Sequence, residues 1–159
     1  MTRERFISLL EQEQEGLVKF LLALCDGNYP EAEDLAQETS LKAYLSYRGY
    51  VERFKFSTWL YRIAYNSFID HKRKKSLPTE SLDAAAHMEG AAGQDRQQFE
   101  GLYSAIEGLP LNEKTAILLF YLEGMKVIDI AIVMQKPTGT VKSYLSRGRN
   151  HLKEKLKDE

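Results

Sequence analysis

Residues 77 to 96 read LPTESLDAAAHMEGAAGQDR, twenty positions of small, polar and acidic side chains with almost nothing to bury. Such a stretch cannot lie in a core, so the chain on either side must fold with its own apolar residues. Upstream, Phe6, Leu9, Leu10, Leu17, Phe20, Leu21 and Leu24 recur at helical spacing, broken where Glu13 falls on the same stripe. That predicts a first helix closing near Asp26-Gly27-Asn28. Pro30 then opens a second helix with Glu31 and Glu33 in its first turn, where the macrodipole favours carboxylates, and Ala32, Leu35, Ala36, Thr39 and Ala43 form its inward face. A third, aromatic helix is expected after Ser57 or Thr58 as N-cap, running through WLYRIAYNSFIDHKRKK.

Downstream, Phe99, Leu102, Tyr103 and Ile106 give a short helix, Leu109-Pro110-Leu111 a corner, and NEKTAILLFYLEG a helix stopped by Gly124. Residues 126 to 134, KVIDIAIVM, form a short apolar helix, and after QKP a longer one begins at Thr138 or Gly139. No run alternates with period two for long enough to form a strand. The expected architecture is all-α, with two small helical domains, 1–76 and 97–159, joined by a flexible acidic linker over 77–96.

At 159 residues and 43% apolar content, the chain can support one domain or two small ones with real cores. Cys25, the single cysteine, excludes an intramolecular disulfide, and no apolar run is long enough to cross a bilayer. With no basic region leading into an apolar run at the N-terminus, the expected setting is cytoplasmic, without membrane insertion. Catalytic signals are thin. His71, His87 and His151 are scattered without metal-ligand spacing, Cys25 has no base near it in sequence, and there is no Gly-rich phosphate loop, so neither enzyme activity nor a cofactor is expected.

The net charge of −1 conceals alternating blocks. Counting Lys plus Arg against Asp plus Glu gives 4 against 9 over residues 1–47, 8 against 2 over 48–75, 1 against 7 over 76–113, and 9 against 5 over 114–159. Two basic segments therefore sit in an otherwise acidic chain, a pattern suited to a polyanionic partner or to a solvated face.

The second basic segment has the helix, turn, longer helix order of a helix-turn-helix. On its longer helix, Val141, Leu145, Gly148, Leu152 and Leu156 form one narrow stripe for packing, while Ser143, Ser146, Arg147 and Asn150 point the other way, with Lys142 and Arg149 on a flank. An α-helix fits the major groove, Arg and Asn can bond base edges in pairs, and Ser, Lys and backbone N–H groups at a helix start can hold phosphates. Gly148 reads as a close-packing position. In the first segment, Trp59, Arg62, Asn66, Asp70 and Arg73 share a stripe from which Leu60, Ile63, Ala64 and Phe68 turn away. Tyr47, Tyr50, Phe54 and Phe56 are interleaved with Arg48, Arg53 and Lys55, as unstacked bases and a single-stranded backbone require, although the same aromatics would equally serve a small core. Residue chemistry alone leaves open a helix-turn-helix regulator acting without polymerase, with a sensing or dimerising N-terminal module, and a helical adaptor.

AEDLAQETSLKAY, FSTWLYRIAYNSFIDHKRK and PTGTVKSYLSRGRNHLKEKL stand in the order and spacing of the extracytoplasmic-function sigma factors, small two-domain promoter-recognition subunits of bacterial RNA polymerase, and the chain resembles that family over nearly its whole length. The resemblance implies that Asp34, Gln37 and Glu38 dock on the β′ clamp helices of core RNA polymerase. It implies that Tyr50, Trp59, Arg62, Asn66, Asp70 and Arg73 handle the minus-ten element of promoter DNA with one base flipped out, and that Thr138, Thr140, Lys142, Ser143, Arg147 and Arg149 read the minus-thirty-five element as duplex. It further implies restraint by a cognate anti-sigma factor. A linker of about 20 extended residues reaches at most roughly 70 Å, just enough for sites two turns of B-DNA, or about 68 Å, apart. Gln135 and Lys136 stand at the bend where the family often has Gly and an apolar residue, and Tyr144 stands where Arg is frequent.

Overall fold

The computed structural model describes residues 1–50, 52–76 and 100–157, and every regular element among them is helical. The expected linker and Phe99 lie outside the described residues. Helix α1, Arg3–Leu24, begins where the Thr2 side chain accepts the Arg5 N–H, and ends where Asp26 and Gly27 take positive φ values of 52° and 86°. Helix α2, Tyr29–Ser46, begins at Asn28, whose side chain accepts the Glu31 N–H, with Pro30 in the first turn where no N–H is needed. Its expected inward face, Ala32, Leu35, Ala36, Thr39 and Ala43, is buried throughout.

A 3₁₀ turn at Tyr47–Gly49 leads to helix α3, Phe56–Lys75. Here the expected cap is corrected. Neither Ser57 nor Thr58 precedes the helix; both lie in its first turn, and the Thr58 hydroxyl is buried without a hydrogen-bond partner. The start is set by Phe56, whose ring packs edge-on to Phe6 at 5.9 Å, so aromatic burial rather than a hydroxyl cap fixes the boundary.

Helices α4, Glu100–Glu107, and α5, Leu111–Ile117, meet at the expected Leu109-Pro110 corner, and α5 widens into a π-helical turn at Leu118–Leu122 before Gly124 ends it with φ 66°. Helix α6, Val127–Met134, and helix α7, Thr138–Lys157, form the helix-turn-helix. Between them Gln135 adopts the left-handed conformation, φ 56° and ψ 46°, and the Lys136 N–H closes the helix end by bonding the Ala131 carbonyl at 3.1 Å. That is the glycine-type helix ending, made here by glutamine.

Val141, Leu145 and Gly148 of the expected packing stripe are buried, Leu152 is half-buried, and Leu156, one turn later, is 44% exposed because α7 has run past its neighbours. A β-carbon at Gly148 would stand 2.8 Å from Cγ1 of Ile117, so glycine there is what lets α7 lie close on α5. The two helical modules are not held apart. Helix α3, already packed on α1 and α2, lies with another side against α6, and one continuous apolar core runs from Phe6 to Leu145.

Candidate nucleic-acid interfaces

On α7 the outer face is open. Thr138, Lys142, Ser143, Arg147 and Arg149 are exposed, and Thr140 is half-buried. The long cations do not wave freely: the Arg147 guanidinium lies 5.7 Å from the Tyr144 ring centre, and Arg149 Nη1 donates to the Tyr121 hydroxyl at 3.3 Å. Tyr144 itself packs inward, beside the core and near the Tyr65 hydroxyl of α3. A second tie, His151 Nδ1 to Glu113 Oε1 at 2.6 Å, fixes the back of α7 to α5. The result is a helix offering short hydroxyls at its start and two anchored, exposed guanidinium groups in its middle. Sequence periodicity gave no sign of the Tyr121 contact, which depends on the π-helical turn.

On α3 the geometry is more enclosed. Tyr50, Trp59, Arg62 and Asp70 are half-buried, while Asn66 and Arg73 are exposed. Tyr50, Phe56 and Trp59 form a cluster with ring centres 5.2 to 6.0 Å apart, and the Tyr50 hydroxyl donates to the Phe54 carbonyl. The core takes its share: Tyr47 and Phe56 are buried, Tyr47 stacking on Phe6 at 4.7 Å. The aromatics from 47 to 59 therefore divide, with Tyr50, Phe54 and Trp59 half-buried over a foundation made by Tyr47 and Phe56. Around them Arg48 and Arg53 lie over the Tyr47 and Phe54 rings at 5.9 and 6.0 Å. Asp70 meets Arg73 at 3.4 Å, which tempers the carboxylate in a basic stripe.

On α2 the acidic face divides as well. Asp34 and Gln37 are exposed, whereas Glu38 is half-buried, 3.6 Å from His71 Nε2 and 3.8 Å from Lys42 Nζ. The Glu38–His71 contact and the Lys75–Glu31 pair at 3.0 Å lace α2 to α3. Beyond Glu38 the same face continues as Leu41, 59% exposed, and Leu45, 75% exposed, flanked by Tyr44. Sequence reasoning missed these leucines. Their signal was the placing of Leu41 and Leu45 on the helix side of Asp34 and Gln37, opposite the Ala/Leu face, where a solvated helix would carry polar residues.

The Cys25 thiol is pushed up to about 12, chiefly by burial and then by the Glu31 carboxylate, so it carries no appreciable thiolate at neutral pH. No group of three or more His, Cys, Asp or Glu side chains suited to a metal is found among the described residues. Among them too, no helix is long and apolar enough to cross a membrane.

Comparison with known proteins gives this geometry its context. Residues 9–77 match the Sigma-70 region 2 family, and residues 99–152 match Sigma-70 region 4. The ECF RNA polymerase sigma factor SigW of Bacillus subtilis is 37% identical over 148 residues, covering 83% of this chain and 79% of the relative. The RNA polymerase sigma-H factor of Pseudomonas aeruginosa is 36% identical, covering 79% of this chain and 73% of its own. Among solved structures, the Bartonella quintana sigma factor RpoE in complex with the anti-sigma factor NepR superposes with a TM-score of 0.80 at 29% identity, over 97% of this chain and 98% of that one. CnrH in complex with the cytosolic domain of CnrY shares the fold, with a TM-score of 0.75 at 18% identity. With both sigma regions matched in order and relatives above 30% identity covered over most of their length, the chain belongs to the ECF sigma factors of the sigma-70 family.

Proposed function

We propose that this sigma factor grips a promoter through two differently built surfaces, one for opened DNA and one for duplex. In this reading residues 1–76 form the region 2-like domain and residues 97–159 the region 4-like domain. The α3 face, with Tyr50 and Trp59 over their aromatic foundation and Arg62, Asn66, Asp70 and Arg73 along the stripe, takes the minus-ten element as single strand. Base flipping costs a few kcal/mol of unstacking, which stacking on the half-buried rings' open area offsets. The α7 face takes the minus-thirty-five element as duplex: Thr138, Thr140, Lys142 and Ser143 hold phosphates at the helix start, and Arg147 and Arg149 reach base edges.

Asp34, Gln37 and Glu38 dock on the β′ clamp helices of core polymerase, and the exposed Leu41 and Leu45 extend that footing with apolar area that water covers poorly. An anti-sigma factor is the restraining partner, by analogy with the relative solved in complex with one. The chain lends recognition and opening to the polymerase and performs no covalent step of its own.

The observation that supports this most is the contrast in construction: a rigid, exposed, hydroxyl-and-arginine helix on one matched region, and an aromatic-and-cation surface on the other. Run-off transcription with core polymerase on a randomised promoter library tests it. The chain is expected to enrich templates carrying two separate elements. Tight duplex binding without polymerase, with no initiation dependent on added chain, would replace this reading with that of a helix-turn-helix regulator.

A further inference from the structure

We infer that Tyr121 is a positioning residue for duplex recognition. Its hydroxyl holds the Arg149 guanidinium at one reach, so a side chain that lies off the reading helix helps to decide which base that arginine accepts. The inference rests on the reading of α7 as the duplex surface. Arg149 Nη1 donates to the Tyr121 hydroxyl oxygen at 3.3 Å, and both side chains are exposed. A guanidinium carries five N–H donors and this bond takes one, which leaves enough for the paired bonds that read guanine O6 and N7.

Arg149 needs such a hold because of where it stands. At two residues from Arg147 it leaves α7 about 200° further round, so the two arginines depart from different sides of the helix. Arg147 lies over the Tyr144 ring of its own helix, whereas Arg149 is tied across to the chain that follows α5. An untied arginine on that flank would spread over many rotamers, and ordering it on contact with DNA would cost affinity. The hydroxyl bond does that ordering before the DNA arrives.

The fold is built to bring this hydroxyl within reach. Gly148, the residue before Arg149, lets α7 lie close on α5, since a β-carbon there would stand 2.8 Å from Cγ1 of Ile117. Tyr121 follows Ile117 by four residues, about one helical turn further along the same side. There the helix widens into the π-helical turn Leu118–Leu122, in which the Glu123 N–H bonds the Leu118 carbonyl at 3.2 Å. Turns of this kind are rare and frequently mark functional sites. The Tyr121 ring is 57% exposed and stands edge-on to Phe120 at 4.9 Å, so it adds little to the core while its hydroxyl is directed to Arg149.

The experiment is run-off transcription with core polymerase on the randomised promoter library, using the full chain as wild type, Tyr121→Phe, Arg149→Ala and the double variant. Phe keeps the ring and removes only the hydroxyl. Tyr121→Phe is expected to lower yield from wild-type-selected promoters about threefold to tenfold, the effect of ordering one long side chain. It is also expected to relax base preference at the same duplex position that Arg149→Ala relaxes, with the other positions unchanged. In the Arg149→Ala background, Tyr121→Phe is expected to change nothing further, because the hydroxyl acts through the guanidinium. Unaltered preference in Tyr121→Phe, or an equal loss with and without Arg149, would overturn the inference; the second result is what a merely structural tyrosine would give. Wild-type preference at every position in Arg149→Ala would instead overturn the assignment of Arg149 to base reading, on which the inference rests.

Discussion

Helices α3 and α7 are both twenty residues long and both end in lysines, yet their circumstances are opposite. Along α3, eight residues are buried, because α1, α2 and α6 all pack against it; along α7 only Val141, Leu145 and Gly148 are. On the proposed reading the difference follows from what each would meet. Duplex DNA offers a groove of fixed width, which suits an exposed face whose arginines are already anchored. An unstacked base needs aromatic area, and aromatic area left fully open is an aggregation hazard, which suits rings half-buried over a core.

The largest expected effect comes from stripping the exposed reader. Arg147→Ala with Arg149→Ala is expected to cut promoter-specific initiation by about 30-fold or more, at roughly 1–3 kcal/mol per specific contact, while core-polymerase binding is retained. Equal loss of both in a pull-down and run-off assay would break the separation of the surfaces. Asp34→Ala with Glu38→Ala is expected to do the reverse, weakening capture by core polymerase about tenfold at fixed salt, with Arg147 and Arg149 still able to bind duplex. Normal affinity would reject the α2 footing.

Next in size are two changes confined to the second module. Gly148→Ala drives a β-carbon against Ile117 and is expected to lower unfolding stability by about 1–2 kcal/mol despite alanine's better helix propensity, measured by urea denaturation. Gln135→Gly relieves a left-handed residue and is expected to raise stability by about 1 kcal/mol; a loss would show that the glutamine side chain supports the bend.

The smallest effect concerns pH and the junction. Glu123 is pushed up by burial first, and by the Glu13 charge, against the Tyr61 hydroxyl bond and Lys19 that pull it back; Glu13 is likewise raised by burial. A carboxyl raised in the folded form contributes stability that is fully present at low pH and is lost as pH rises through the raised value. Acidification from about pH 7 to about pH 5 is therefore expected to raise the contribution of Glu123 to unfolding stability in urea denaturation, and Glu123→Gln to weaken that dependence. The same pH dependence in wild type and variant would contradict it.

Helix identity was legible because its cause is local. The Ala32 to Ala43 face, the stop at Gly124 and the close packing of Gly148 each follow from periodicity or from glycine chemistry. The start of α3 was misread because Ser57 and Thr58 look like caps, while the deciding factor, the Phe56 ring against Phe6, comes from fifty residues away in sequence. The junction was illegible for the same reason. Asp26 with Lys114 and Tyr61 with Glu123 are pairs 88 and 62 residues apart, and the acidic stretch between the modules reads only as a tether. Charge blocks marked the two basic faces, but which residues are held, as Arg149 is by Tyr121, depends on a π-helical turn that no local pattern announced.

The central claim is that one chain grips two elements at a set separation along the DNA. On a promoter selected from the random library, inserting about 5 base pairs between the elements turns one of them to the opposite side of the helix, since a turn takes about 10. Run-off yield from core polymerase plus this chain is expected to fall at least tenfold, and an insertion of a full turn, about 10 base pairs, is expected not to restore it, because about 20 residues can span at most roughly 70 Å. A yield unchanged by the half-turn insertion would contradict the two-surface account outright.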